Sequence, residues 1–88
     1  MKEVINNFLD SNGKIKVWPG KRKNQDIILE YISSKFEYDV DYTEKEVNTI
    51  INENHSFNDY AIIRRELFNM GYIDRTIDGL RYWRIKQS

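Results

Sequence analysis

The sequence predicts an α+β fold on three observations. The segment 58–70, NDYAIIRRELFNM, reads as an amphipathic helix stopped by Gly71, where a left-handed residue belongs after a helix C-terminus. Directly after it, Tyr72–Arg75 and Leu80–Ile85 alternate in polarity and are joined by a turn containing Asp78-Gly79. That pair is a strong hairpin signal because both positions tolerate positive φ. Ahead of it, Thr43-Glu44-Lys45-Glu46 opens another helix, which fades at 52–55 and leaves a connection of about three or four residues. Helix, tight turn, helix and two-stranded ribbon follow the order of a small winged helix-turn-helix. The full expectation is four helices, a C-terminal hairpin wing and one extra short strand at 14–17, in a single domain over 1–88.

The elements follow in chain order. Lys2–Leu9 predicts a short helix, with Val4, Ile5, Phe8 and Leu9 on one face, and the cluster Asp10-Ser11-Asn12-Gly13 stops it. Lys14-Ile15-Lys16-Val17 alternates as a half-buried strand does, and Trp18-Pro19-Gly20 ends it. Lys21–Phe36 predicts the next helix through the stripe Ile28, Tyr31, Ile32 and Phe36, with Asn24 as an alternative N-cap. Residues 37–42 alternate and read as a short extended piece. Thr43 and Glu46 form a capping box in which each side chain reaches the other's backbone N–H. Val47, Ile50 and Ile51 give that helix its apolar side. Ser56 or Asn58 is the expected N-cap of the last helix. At about 100° per residue, Tyr60, Ile63, Leu67 and Met70 face its core, while Asn58, Ala61, Arg65 and Asn69 point away.

Composition narrows the class of function. The chain has 88 residues, no cysteine and a formal net charge of zero. No disulfide framework or thiolate metal site can be drawn, and no segment has the apolar length of a membrane span or a signal peptide. A cytoplasmic location is expected. The charge is unevenly placed: six basic and two acidic residues in 1–23, two and nine in 24–59, six and three in 60–88. Basic ends around an acidic middle suit a polar binding face or a solvated surface of mixed sign.

Phe8-Leu9, Gly13-Lys14-Ile15-Lys16, Pro19 with Lys21 and Lys23, and Tyr42-Thr43-Glu44-Lys45-Glu46-Val47-Asn48 together carry a family resemblance. It continues through His55, Asp59, Arg64-Arg65-Glu66-Leu67 and Gly71-Tyr72-Ile73-Asp74-Arg75, to Asp78-Gly79 and Tyr82-Trp83-Arg84. Read along nearly its whole length, the chain resembles an uncharacterised family of bacterial proteins, a domain of unknown function. Members of that family occur alone or joined to helix-turn-helix regulators of the arsenic-repressor type. The resemblance implies a link to transcriptional regulation and carries no activity, ligand or catalytic residue. No such regulator lies within these residues, so its DNA-reading role does not transfer.

The residue types point to binding rather than catalysis. Arg65 is placed to read a guanine edge in a bidentate way, Arg64 to lie nearer phosphates, and Asn58 and Asn69 to read adenine or hydrogen-bond the backbone. Arg75, Arg81 and Arg84 would line the wing, and Lys21-Arg22-Lys23 forms the densest basic run. The competing reading leaves Arg64 and Arg65 solvated, or pairs one with Glu66, Asp59 or Asp74. Zero net charge and the acids Glu44, Glu46, Asp26 and Glu30 predict that any DNA binding by the domain alone is weak. The alternative is a protein partner or self-association through the N-terminal helix and Phe68, which falls on the outward half of its helix. Trp83 and Tyr72 are expected in the core, with Trp18 partly exposed. His55 reads as a cap or turn residue. No nucleophile–base pair, phosphate loop, metal-ligand spacing or small-molecule substrate site is evident, so no enzyme activity and no cofactor are expected.

Overall fold

The computed structural model describes residues 2–86; residues 1, 87 and 88 of the expected domain lie outside the described residues. The architecture is α+β, with three full helices and a two-stranded antiparallel hairpin. It begins with a single helical turn, α1 (Lys2–Ile5), which tightens into a 3₁₀ turn over Asn6–Phe8. The full helices are α2 (Arg22–Ser33), α3 (Glu44–Asn52) and α4 (Tyr60–Asn69). The hairpin strands are β1 (Ile73–Arg75) and β2 (Tyr82–Arg84). The expected helix over Lys2–Leu9 is therefore reduced to about half its length.

The expected strand at 14–17 does not form. Ile15 alone bridges two segments, antiparallel to Leu9 and parallel to His55. Its N–H donates to the Asn54 carbonyl and its carbonyl accepts from Ser56 N–H, both at 2.8 Å. The Asp10 carboxylate folds the chain back through bonds from the N–H groups of Asn12 and Lys14, and the bridge to Leu9 is flanked by bonds from Asp10 N–H to the Lys14 carbonyl and from Lys16 N–H to the Phe8 carbonyl, both at 2.8 Å. The polar–apolar alternation of 14–17 was enough to bury Ile15 completely but not to build a regular strand.

Helix ends follow local chemistry. The α3 capping box is formed: Glu46 N–H donates to the Thr43 hydroxyl at 3.1 Å, and Thr43 N–H donates to the Glu46 carboxylate at 2.8 Å. The N-cap of α4 is Asp59, whose carboxylate accepts from Ile62 N–H at 3.3 Å. Neither Ser56 nor Asn58 fills that role. Asn58 takes φ of 59°, a left-handed turn that Asn tolerates, and so starts the bend one residue before the cap. At the other end Gly71 has φ of 81°. Gly71 N–H donates to Phe68 and Tyr72 N–H to Leu67, the paired bonds that satisfy the last carbonyls of α4.

Ile28, Leu29, Ile32, Phe36, Val47, Ile51, Ile63, Leu67 and Ile73 close over one another as a single core, with Ile15 beneath them. His55 is buried in the turn between α3 and α4 with both ring nitrogens engaged. Nδ1 lies 2.8 Å from the Ile51 carbonyl, and Nε2 accepts from Asp59 N–H at 3.0 Å. A neutral ring donating through Nδ1 satisfies both contacts. The hairpin pairs Ile73 with Arg84, Asp74 with Trp83 and Arg75 with Tyr82. On the far side of β2, Tyr42 and Tyr82 exchange two backbone bonds, at 2.7 and 2.8 Å. The extended piece before α3 thus docks on the hairpin. Trp83, expected in the core, stays half exposed on the outer side of β2. Tyr72 packs against the core and donates its hydroxyl to the Asp26 carbonyl.

Candidate nucleic-acid interface

The outward residues of α4 and the start of the hairpin enclose a groove of about 440 Å³. Ala61, Arg64, Arg65, Phe68, Asn69 and Arg75 line it, with Tyr82 at its floor. The Gly71 reversal sets this geometry. It turns the chain straight from α4 into β1, so Arg75 comes back alongside the last turns of the helix. The Arg75 guanidinium lies 4.9 Å from the Phe68 ring centroid and donates to the carbonyls of Thr76 and Ile77. Phe68, on the outward half of its helix, stays partly exposed, and its ring is the platform for Arg75, held by the attraction of a cation to an aromatic face.

The two adjacent arginines of α4 behave differently. Arg64 donates to the Asn48 side-chain oxygen at 2.6 Å, meets the Glu44 carboxylate at 3.1 Å and lies over the Tyr60 ring. Its side chain is 25% exposed, against 67% for Arg65. Arg64 is a staple between α3 and α4, and its partners are not Glu66, Asp59 or Asp74. Arg65 meets Glu66 only at 3.7 Å. Adjacent residues on a helix do not face each other, and a pair at that distance with one exposed partner contributes little. The competing expectation that one arginine pairs with Glu66 is thus met by Arg65, whose guanidinium still stays exposed at the mouth of the groove. Asn69 holds a long bond of 3.5 Å to Glu66 and is also exposed.

The remaining residues expected to contact nucleic acid lie elsewhere. Asn58 is exposed before the Asp59 cap and is not part of α4, as the expected span 58–70 had it. Arg81 pairs with Asp41 at 3.3 Å. Arg84 donates to the Phe36 carbonyl and lies 4.0 Å from the Tyr38 ring centroid. With Lys86 and Trp83 it borders a second cleft that also contains Asp39, Asp41 and Asp74. Arg84 is thus placed among carboxylates, not beside Arg75. The run Lys21-Arg22-Lys23 sits at the start of α2: Lys21 is its N-cap, without a capping side-chain bond. Arg22 meets Asp26 at 3.7 Å, and Arg22 and Lys23 border a third depression with Asp26, Ile27 and Glu30. The structure thus joins Arg64, Arg65, Asn69 and Arg75 and leaves the other predicted contacts on separate surfaces.

Sequence reasoning missed two features of this region. Glu44 and Asn48 are the partners of Arg64, and their i, i+4 spacing on α3 put both on one face. The loop of the hairpin is the other. Only Gly79 takes positive φ there, at 72°, so the turn is not the two-residue type with both centres left-handed. Gly79 N–H closes onto the Thr76 carbonyl, and the Asp78 carboxylate accepts from the Thr76 hydroxyl at 2.6 Å and from Leu80 N–H at 3.0 Å. Those bonds, the Thr76 hydroxyl first, hold the Asp78 carboxyl below its ordinary pKa. Ile77 and Leu80 are left pointing into solvent.

Among the described residues, no group of three or more His, Cys, Asp or Glu side chains could hold a metal ion, and no helix is long and apolar enough to cross a membrane. A family model described as an uncharacterized protein conserved in bacteria (DUF2087) matches residues 14–84. No curated protein and no solved structure matches the chain.

Proposed function

The chain belongs to the DUF2087 family of uncharacterised proteins conserved in bacteria, and from that premise we propose that it is a non-catalytic, transcription-associated module of the winged helix-turn-helix type that docks on duplex DNA. In this reading α4 is the recognition helix and β1–β2 the wing. The observation that carries the proposal is the groove where Arg65, Asn69 and Arg75 converge beside the small residue Ala61. A major groove about 12 Å wide admits one helix, and a small residue on its leading face lets the backbone approach closely. Exposed Arg65 and Asn69 then have the hydrogen-bonding forks that suit guanine and adenine edges. Arg75, which forms no ion pair with a carboxylate among the described residues, suits a phosphate.

The order of elements supports the same reading. Helix α2, the bridged strand segment at Tyr42, helices α3 and α4, and the hairpin follow one another, with β2 between Tyr42 and β1. Glu44, which in a docked α3 would repel phosphate, is offset by Arg64. Arg64 itself is a positioning residue in this account and no longer a phosphate contact.

The proposal is tested by fluorescence anisotropy with a mixed-sequence 30-base-pair duplex at low salt. Arg65→Ala should weaken binding roughly tenfold, within the ~1–3 kcal/mol that one good arginine–base contact contributes. Arg75→Ala should lower the magnitude of the salt slope by about 1, as expected for one lost phosphate contact. Unchanged affinity in Arg65→Ala would mean that this face of α4 is not the reader.

A further inference from the structure

The tip of the hairpin carries an aliphatic pair with a negative charge between its members. Ile77 is fully exposed, at 103%, and Leu80 is 68% exposed, with the Asp78 carboxylate also in solvent. Single exposed apolar residues are common. Here two lie three residues apart on a loop whose backbone is fixed by its own bonds. Thr76 N–H donates to the Arg81 carbonyl at 3.0 Å, and Arg81 N–H to the Thr76 hydroxyl at 3.2 Å. A tip held in this way loses little conformational freedom when it docks.

Beside the hairpin lies an apolar groove of about 290 Å³. Tyr42, Thr49 and Ile50 line it, together with Lys45 and Glu46. Lys45, Glu46, Thr49 and Ile50 fall at i, i+1, i+4 and i+5 of α3, which puts them on one stripe of the helix. The Tyr42 ring is fixed in place: its hydroxyl accepts from Glu37 N–H at 2.8 Å, and the ring meets Phe36 edge-on at 5.2 Å between centroids. Ile77 and Leu80 are exposed, so neither fills the groove of its own copy.

Charge and position select a second copy as the occupant. The Glu46 carboxylate is engaged in the α3 capping box. Lys45 and Asp78 form no ion pair among the described residues, so each brings an unneutralised charge of opposite sign to its patch. Leu80 is two residues from Tyr82, at most about 7 Å along the chain. Tyr82 in turn exchanges two backbone bonds with Tyr42 at the groove. Tip and groove are therefore neighbours. A two-fold pairing lets each copy offer its tip and receive the other's, and such a contact closes at two copies.

We propose that two copies of this chain form a two-fold dimer in which the Ile77 and Leu80 tip of each enters the groove beside Tyr42 and Ile50 of the other, with Asp78 set against the partner's Lys45. The inference does not depend on the DNA-binding reading. The full chain is followed by sedimentation velocity at low salt. The expected result is a shift from monomer to dimer centred near ~100 µM, as suits a contact smaller than the ~1,200 Å² of standard interfaces. Ile77→Ser/Leu80→Ser should stay monomeric up to about 1 mM. Lys45→Glu sets two carboxylates against each other and should weaken the dimer roughly tenfold, and Asp78→Asn added to it should recover part of that loss. All four positions are exposed, and an acid at the second position of α3 suits the helix dipole, so the variants keep the fold. Thermal melts no lower than that of the wild type check this.

A wild-type chain that stays monomeric up to about 1 mM overturns the dimer. So does a dimer that neither the serine pair nor Lys45→Glu weakens, because another surface then holds it. Growth beyond two copies means a head-to-tail contact and overturns the two-fold exchange. Binding to vesicles with about one-third anionic lipid that the serine pair abolishes, without self-association, reassigns the tip to a membrane surface and overturns the dimer.

Discussion

Arg64 and Arg65 show what a residue's neighbours decide. The two are adjacent and chemically identical, and the wheel of α4 separates them by only about 100°. That rotation puts Arg64 against Asn48 and Glu44 and leaves Arg65 in solvent. The helical pattern alone was sufficient to place Arg65, Asn69 and Ala61 on the outward face. It could not supply the partners of Arg64, because they lie 16 and 20 positions earlier on another helix and meet it only through tertiary packing. The same limit applied to Phe68, whose cover by Arg75 depends on the path of the chain after Gly71. Arg64→Ala should destabilise the fold by about 1–2 kcal/mol, because a charged hydrogen bond and a partly exposed ion pair are both lost. Arg65→Ala should leave stability within about 0.5 kcal/mol of wild type. Chemical denaturation of the two variants checks this: equal losses would contradict the division of roles.

Elements were legible where the signal was local. The capping box of α3 is written within four consecutive residues, and the Gly71 stop needs only a residue that accepts φ of 81°. Both appear as expected. The strand at 14–17 failed for the opposite reason. Alternation says which residues of a segment can be buried but does not provide a neighbouring strand, and only Ile15 found one on each side. The last helix lost Asn58 from its start because Asp59 captured the cap, and Asp and Asn compete for that role on nearly equal terms. Removing the α3 cap in Thr43→Ala should cost about 1 kcal/mol. The check is the shift in the urea midpoint with an unchanged slope; a shift near zero would mean that the helix is held by packing alone.

Across the molecule, the zero net charge hides an ordered distribution. Carboxylates stand within ion-pair distance of Arg22, Arg64, Arg65, Arg81 and Lys86. The exposed cations that remain beside α4 are therefore few, so the proposed binding by the domain alone should be weak and salt-sensitive. Summed segment charges showed the asymmetry but could not show which pairs cancel. They also gave the hairpin one basic face, whereas Arg75 and Arg84 lie in different clefts. The central claim is that the α4 groove is the surface that meets DNA. The most direct measurement is a two-dimensional amide NMR titration of the labelled chain with a mixed-sequence duplex at low salt. The account predicts shifts concentrated at Ala61, Arg65, Asn69 and Arg75. Shifts absent from those residues, or gathered instead around Asp39, Asp74 and Trp83, would contradict it.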